Sequence, residues 1–362
     1  MSELYPFGLA EEQEDRASRL HQESVIFDGC FLPGNLENPE QTTEFVEGGI
    51  TGGNVTVADV RHNFVQAMES VLKYRKIVRD QPERFMLGTT TGDILEAKRL
   101  GRLAIVLGFQ DAKPVEDNLE HLEAFYALGV RITQLTYNTQ NFVGSGCIER
   151  HYGGLTLFGR DLVQEMNRLG IAIDLSHCSD ETSTDAIEMS EKPVLFTHAN
   201  ARTVCPAYGR NKPDELIKAL AAKGGVIGVI FRPNFVKRDS EHRPLPCTVE
   251  DVLDHVDHVV NLVGVDYVGY GSDVFSRLQI PGVRMSPWLL PFRQRRPDVF
   301  GRSEVWSTVK GLENGREFFN LTRGLVARGY SDEDIRKILG GNFLRALGAA
   351  WNEVKVPTVS VV

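Results

Sequence analysis

Two stretches decide how this chain folds: Met166-Asn167-Arg168-Leu169-Gly170-Ile171-Ala172-Ile173-Asp174-Leu175-Ser176-His177 and Pro193-Val194-Leu195-Phe196-Thr197-His198-Ala199-Asn200. Each carries a short apolar or β-branched run that breaks off abruptly into polar residues and a histidine. A run that is apolar on both faces reads as a strand buried in a parallel sheet rather than one with a wet face. The first stretch follows a helical pattern over 157–169, and a second amphipathic pattern separates parallel strands by crossovers of the usual right-handed kind.

Working outward, the same alternation repeats along the chain. Strands are expected at Val25–Cys30, Gly53–Val57, Leu103–Phe109, Arg131–Thr136, Ile171–Leu175, Val194–Thr197, Gly225–Ile230 and Tyr267–Gly271. Amphipathic segments at Asn118–Leu128, Leu157–Leu169 and Asp214–Lys223 lie between them. Eight such units suggest an α/β fold of the TIM (β/α)8-barrel type more than an open doubly wound sheet, although the alternation alone fits both. No G-x-G-x-x-G or P-loop follows the first strand, which weakens the nucleotide-binding form of the open sheet. The reading is one barrel over residues 1–350 with a short N-terminal extension, and a tail over 351–362. The segment from Phe275 to about Arg302, with Pro281, Pro287, Pro291 and Pro297, is too long for a simple connection and reads as a lid or an oligomer contact.

Composition narrows the partners. The 362 residues are 42% hydrophobic and 25% charged, enough to bury a large core, with mean hydropathy −0.20. Net charge −9 and a pI near 5.6 argue against nucleic acid or an anionic membrane as a partner. The acidic start lacks a secretory pattern, and the five cysteines are scattered without paired spacing, so a reduced cytoplasmic compartment is expected.

In a barrel, chemistry gathers where the strands end and the βα-loops converge. Asp174-Leu175-Ser176-His177, Thr197-His198 and Ser272-Asp273 end three of the expected strands. Neighbouring strands lie about 4.8 Å apart, so two histidines on consecutive strands can share one ion. Imidazoles with a carboxylate suit zinc, which lowers the pKa of bound water to about 7 and lets it attack a carbonyl at neutral pH. The bland alternative is that each histidine is a satisfied polar residue. His255 and His258 read as one side of a helix, for packing or for the surface.

These runs, with Gly154-Leu155-Thr156-Leu157-Phe158-Gly159-Arg160, Arg210-Asn211-Lys212-Pro213-Asp214, Asp266-Tyr267-Val268-Gly269-Tyr270-Gly271-Ser272-Asp273 and Gly340-Gly341-Asn342-Phe343-Leu344-Arg345, resemble the membrane (renal) dipeptidase family of the amidohydrolase superfamily. The resemblance covers about residues 20 to 350. It implies a (β/α)8 barrel that hydrolyses dipeptides, some with a D-residue at the C-terminal side, through a two-zinc site. By the same resemblance His177 and His198 hold one zinc, Asp273 passes a proton to the leaving amine, and Arg210 grips the free carboxylate of the substrate.

The departures from the family pattern fall on the other zinc. Its His-x-Asp pair is Cys30-Phe31-Leu32 here, the bridging glutamate is Gln110, and the histidine that polarises the scissile carbonyl is Tyr137. Phe31 and Leu32 cannot coordinate, and Gln110 brings no charge to offset the repulsion of two cations. Cys30 either ligates as a thiolate or fills space as a small hydrophobe. Tyr137 either donates to a developing oxyanion or packs over the mouth.

The expectation is a hydrolase of a dipeptide or a similar carboxylate-bearing amide. It would use about one Zn2+ per chain, on His177 and His198 with Gln110 or Asp273 and water. A one-metal non-hydrolytic enzyme such as a decarboxylase, and a silent barrel that binds a small ligand, are the alternatives. By analogy a homodimer is expected.

Overall fold

The structure is a computed structural model, and it describes residues 4–31, 36–151, 153–273, 290–302 and 308–352. Nine strands run in chain order: β1 Phe27–Phe31, β2 Gly52–Thr56, β3 Phe85–Leu87, β4 Leu103–Phe109, β5 Val130–Gln134, β6 Ala172–Asp174, β7 Val194–Phe196, β8 Val226–Val229 and β9 Val268–Tyr270. Every pairing is parallel. The order β2-β1-β9-β8-β7-β6-β5-β4 is closed by a pairing of β2 with β4, which makes an eight-stranded ring. The fold is therefore a (β/α)8 barrel and not an open sheet.

The ring consists of the eight strands legible in the sequence, with ends shifted by two residues at most. The strand β3 is additional. It pairs with the first half of β4 (Phe85 beside Leu103) and stays outside the ring. Three residues are too few to show a period, so nothing in the sequence separates it from a loop. The expected helices are present at Leu119–Ala127, Leu157–Leu169 and Asp214–Ala222. The middle one starts at Thr156, whose hydroxyl accepts from the Gly159 N–H at 2.9 Å, and stops at Gly170 in the left-handed region (φ 84°).

Below the mouth the barrel is plugged by the chain's own end. The helix Asn342–Ala350 sends Phe343 against Phe27, ring centroids 5.5 Å apart. A Cβ on Gly29 or Gly228 would strike both the Phe343 ring and the Thr197 carbonyl, so only glycine lets the end of β7 reach this far in. Trp351 is buried too and donates its indole N–H to the Arg131 carbonyl at 2.9 Å. The barrel thus includes Trp351, which the sequence reading placed in the tail, while residues 353–362 of that tail lie outside the described residues.

Of the proline-rich segment, residues 274–289 and 303–307 lie outside the described residues. Its described part forms two short helices, Leu290–Arg295 and Pro297–Phe300. Arg238 donates to the Asp298 and Val299 carbonyls, each at 2.8 Å, and Arg296 donates to the Ile148 and Glu149 carbonyls. This part is fastened to the loops around the mouth. All five cysteines are buried and free. Among the described residues, no helix is long and apolar enough to cross a membrane. His255 is fully buried and bonds the Val236 carbonyl at 3.0 Å, whereas His258 is half-buried beside Asp214 at 2.9 Å. Packing is the role of the first, a hydrogen bond to Asp214 near the surface that of the second.

Candidate active site

Strands β6 and β7 end side by side, and the residues just past them form one hydrogen-bonded unit. The Asp174 carboxylate accepts from the Ser176 N–H (3.0 Å) and hydroxyl (2.6 Å), and from the Thr197 N–H (3.0 Å) and hydroxyl (2.7 Å). The Ser176 hydroxyl in turn accepts from the His198 N–H at 3.0 Å. One buried carboxylate therefore ties the two histidine-bearing turns together.

The orientation of the rings follows. Because the Thr197 hydroxyl donates to Asp174, its oxygen can only accept from His198 Nδ1, 2.7 Å away. His177 Nδ1 sits 2.7 Å from the Asn138 side-chain oxygen, which also receives the Cys147 thiol at 3.4 Å. Both protons therefore lie on Nδ1, and both Nε2 lone pairs turn inward, facing each other at 2.9 Å. Burial, and after it the charge of Arg210, pushes both histidines well below the usual imidazole range. Two bare lone pairs at that distance repel unless a cation lies between them. Nitrogens about 2.1 Å from one zinc sit roughly 3.4 Å apart at a tetrahedral angle, so the pair has to open by about half an ångström to take one.

Asn138 holds its position at φ 65°, one of two left-handed non-glycine residues at the site; the other is Asp273 at φ 51°. The Tyr137 ring stacks on His177 with centroids 4.2 Å apart and planes inclined by 22°. Burial, then the charge of Asp273, raises its phenol, so it remains an O–H donor.

Arg210 is buried below this pair at 1% exposure. One guanidinium nitrogen, Nη1, donates to the His198 carbonyl at 2.7 Å and to the Ser176 carbonyl at 3.3 Å. Its Nε and Nη2 have no partner. Those two N–H groups form one edge of the guanidinium fork, the edge that takes a carboxylate bidentately. An unpaired edge so deeply buried costs free energy unless a ligand fills it.

Around Asp273 the geometry is different. Its carboxylate accepts from Arg232 Nε at 2.7 Å and faces the Cys30 thiol at 3.8 Å. The side-chain amide of Gln110 donates to Cys30 Sγ at 3.3 Å and to the Thr56 hydroxyl at 2.9 Å. Burial, and then Asp273, drives the Cys30 thiol far above its usual range, so it is a protonated donor here rather than a thiolate. Phe31 is fully buried against Phe45, ring centroids 4.8 Å apart, and Leu32 lies outside the described residues.

The sequence comparison identifies the lineage. Residues 14–284 and 304–357 match the model of the membrane dipeptidase family, peptidase family M19. The chain belongs to the membrane dipeptidase family. That family is one of metallopeptidases. Among its relatives is dipeptidase tcpJ of Claviceps purpurea (strain 20.1), 32% identical over 275 residues, which is 75% of this chain and 57% of tcpJ. The alignment with tcpJ thus covers little more than half of that protein. A solved amidohydrolase from Pseudomonas aeruginosa is 34% identical, with TM-score 0.81, covering 93% of this chain and 99% of the other. A metallo peptidase from Rhodobacter sphaeroides, liganded with a phosphinate mimic of L-Ala-D-Ala, is 23% identical with TM-score 0.75 over 91% and 100%, and shows the fold alone.

In this chain, the donors present fit one metal better than two. His177 and His198 offer two neutral, aimed nitrogens. On the other side stand a thiol that keeps its proton, a phenylalanine, and a glutamine whose amide nitrogen is already engaged. Among the described residues, no three groups of His, Cys, Asp or Glu come together as a ligand set. Gln110 Oε1 is left as a neutral acceptor. Cys30, which the sequence left open as a thiolate ligand, stands in the geometry as a hydrogen-bonding thiol.

Sequence reasoning passed over four residues that shape this site: Asn138, Asp174, Thr197 and Arg232. The first three sat in quoted strand ends; Asn138 and Thr197 carry no charge, and the Asp174 carboxylate is taken up by Ser176 and Thr197. Arg232 follows β8, the one of these strand ends where a cation stands just beyond an apolar run. Replacing Thr197 with valine keeps the shape and removes the His198 Nδ1 acceptor. Zinc affinity is expected to fall about 10- to 100-fold, as for other outer-shell partners, with some loss of thermal stability because the buried Asp174 carboxylate also loses the Thr197 hydroxyl donor. Calorimetric zinc titration checks it; unchanged affinity would show that Thr197 does not set the ring.

Proposed function

We propose that this chain hydrolyses an amide bond in a small molecule with a free carboxylate, a dipeptide or an N-acyl amino acid, using a single divalent metal, best matched by zinc, on His177 and His198. The observation that carries the reading is the pair of neutral imidazoles presenting Nε2 to Nε2 at 2.9 Å, each fixed from behind by a hydrogen bond at Nδ1. When bound, a divalent ion supplies Lewis acidity and a water acidic enough to be a nucleophile near neutral pH. Gln110 Oε1 and water would complete the ligand set.

The remaining roles belong to the chain's own groups. Arg210 orients the substrate through its carboxylate, with the unpartnered Nε and Nη2 edge. Asp273, aimed from the end of β9, takes a proton and returns it to the leaving amine. The Tyr137 O–H donates to charge that develops on the carbonyl oxygen. The substrate is a small molecule; the net charge of −9 disfavours nucleic acid and an anionic membrane as partners, and a homodimer is expected only by analogy with the family.

Elemental analysis of protein purified without chelator tests this. About one zinc per chain, removed by chelator together with turnover of dipeptides or acyl amino acids and restored with zinc, is the expected result. Two metals per chain would mean that a second site is rebuilt from other residues. No zinc after incubation would sink the reading and favour a ligand-binding barrel.

A further inference from the structure

Asp273 stands at the end of β9 with a left-handed backbone, its N–H donating to the Cys30 carbonyl at 3.1 Å. Its carboxylate is paired with Arg232, which follows β8 on the neighbouring strand. The Arg232 Nε to Asp273 Oδ2 distance is 2.7 Å, and the two side chains are only 8% and 20% exposed. The other oxygen, Oδ1, faces the Cys30 thiol. Both oxygens are thus engaged, and among the described residues Asp273 does not come together with His177 and His198 as a metal-ligand set.

That placement matters because a carboxylate is the natural third ligand for a metal on two imidazoles, and catalytic zinc sites usually have three protein ligands. A carboxylate bound to the metal has committed to the ion the lone pair that would take up a proton, whereas one paired with a guanidinium through one oxygen keeps a lone pair of the other available. We propose that Arg232 is a positioning residue that withholds Asp273 from the metal. It supplies a fixed cation beside the carboxylate and so reserves it for proton transfer. The guanidinium suits this role because it is always charged and its planar fork holds direction. The inference rests on the single-metal reading given above.

The test is zinc titration of the full-length apoprotein, wild type beside Arg232→Met, Arg232→Lys and Arg232→Met/Asp273→Asn. With its partner gone, Asp273 is free to turn to the metal. Zinc affinity of Arg232→Met is expected to tighten about tenfold or more, the scale of gains and losses at metal-site partners. The gain should vanish in the double variant and be absent in Arg232→Lys, which can still pair. On substrate, kcat of Arg232→Met should fall about 100-fold, the scale of a lost general base, with KM within about threefold because Arg210 is intact. Arg232→Lys should recover part of that kcat.

Arg232→Gln serves in place of the methionine variant if that one does not fold. Unchanged or weakened zinc affinity in a folded Arg232→Met or Arg232→Gln overturns the inference alone. A wild type that takes up no zinc overturns the single-metal reading and the inference with it.

Discussion

Replacing His198 with alanine is expected to bring the zinc content of the protein from one per chain to none, and to lower turnover by about a thousandfold or more. The loss is large because the two imidazoles are the only aimed ligands that the described residues supply. His177 alone, held by Asn138 at 2.7 Å, is one nitrogen and cannot retain an ion in competition with water. The fold should survive, since Asp174, Ser176 and Thr197 keep their mutual hydrogen bonds, and these do not use the imidazole of His198. Metal analysis, turnover and a melting curve on the same sample separate the outcomes. Retained turnover with retained zinc would place the metal elsewhere. An unfolded protein would call for His198→Gln, which keeps polarity but lacks the imidazole.

The second large effect is at Arg210. In Arg210→Met the carboxylate loses two charge-assisted hydrogen bonds, each contributing about 1.5–3 kcal/mol. KM for a substrate with a free carboxylate should therefore rise about 100-fold or more, while the C-terminal amide of the same substrate, already poor, should change little. Preference for acid over amide would collapse. Arg210→Lys restores the charge but not the two-pronged edge, so it should recover only part of the preference. The substitution also removes the donor to the His198 and Ser176 carbonyls, at 2.7 and 3.3 Å, and some thermal stability should go with it. Equal kinetic losses for acid and amide would show that Arg210 supports the site without touching substrate.

Residues 166–177 and 193–200 carry the parallel-strand pattern, eight such units suggested a barrel, and the pairing of β2 with β4 decided it. Buried parallel strands have to be apolar on both faces, and the chain signals their C-terminal ends by a sudden change to polar side chains. Ile171-Ala172-Ile173-Asp174 and Val194-Leu195-Phe196-Thr197 carry that signal without ambiguity, and so did six others. Family likeness then assigned His177, His198, Asp273 and Arg210, because each lies in a run whose order matches. What was harder to see was β3, too short to have a period, and Trp351, whose burial depends on a cap at the far end of the barrel.

Sequence also determined that Phe31 cannot coordinate a second metal and that Gln110 brings it no charge, whereas sequence leaves Cys30 open as a thiolate ligand and only the structure sets it as a hydrogen-bonding thiol. Which proton sits on which nitrogen, and which partner each charged group has, was decided only by tertiary structure. Asp174 joins two strand ends across a hydrogen-bonded sheet, Thr197 sets the ring of the histidine beside it, and Arg232 meets Asp273 across 41 positions of chain. Such pairings are fixed by the closing of the ring, which brings β8 beside β9 and β6 beside β7 at strand spacing. A linear pattern records which residues are apolar and which are polar. It does not record the directions of hydrogen bonds between turns that meet only once the barrel has closed.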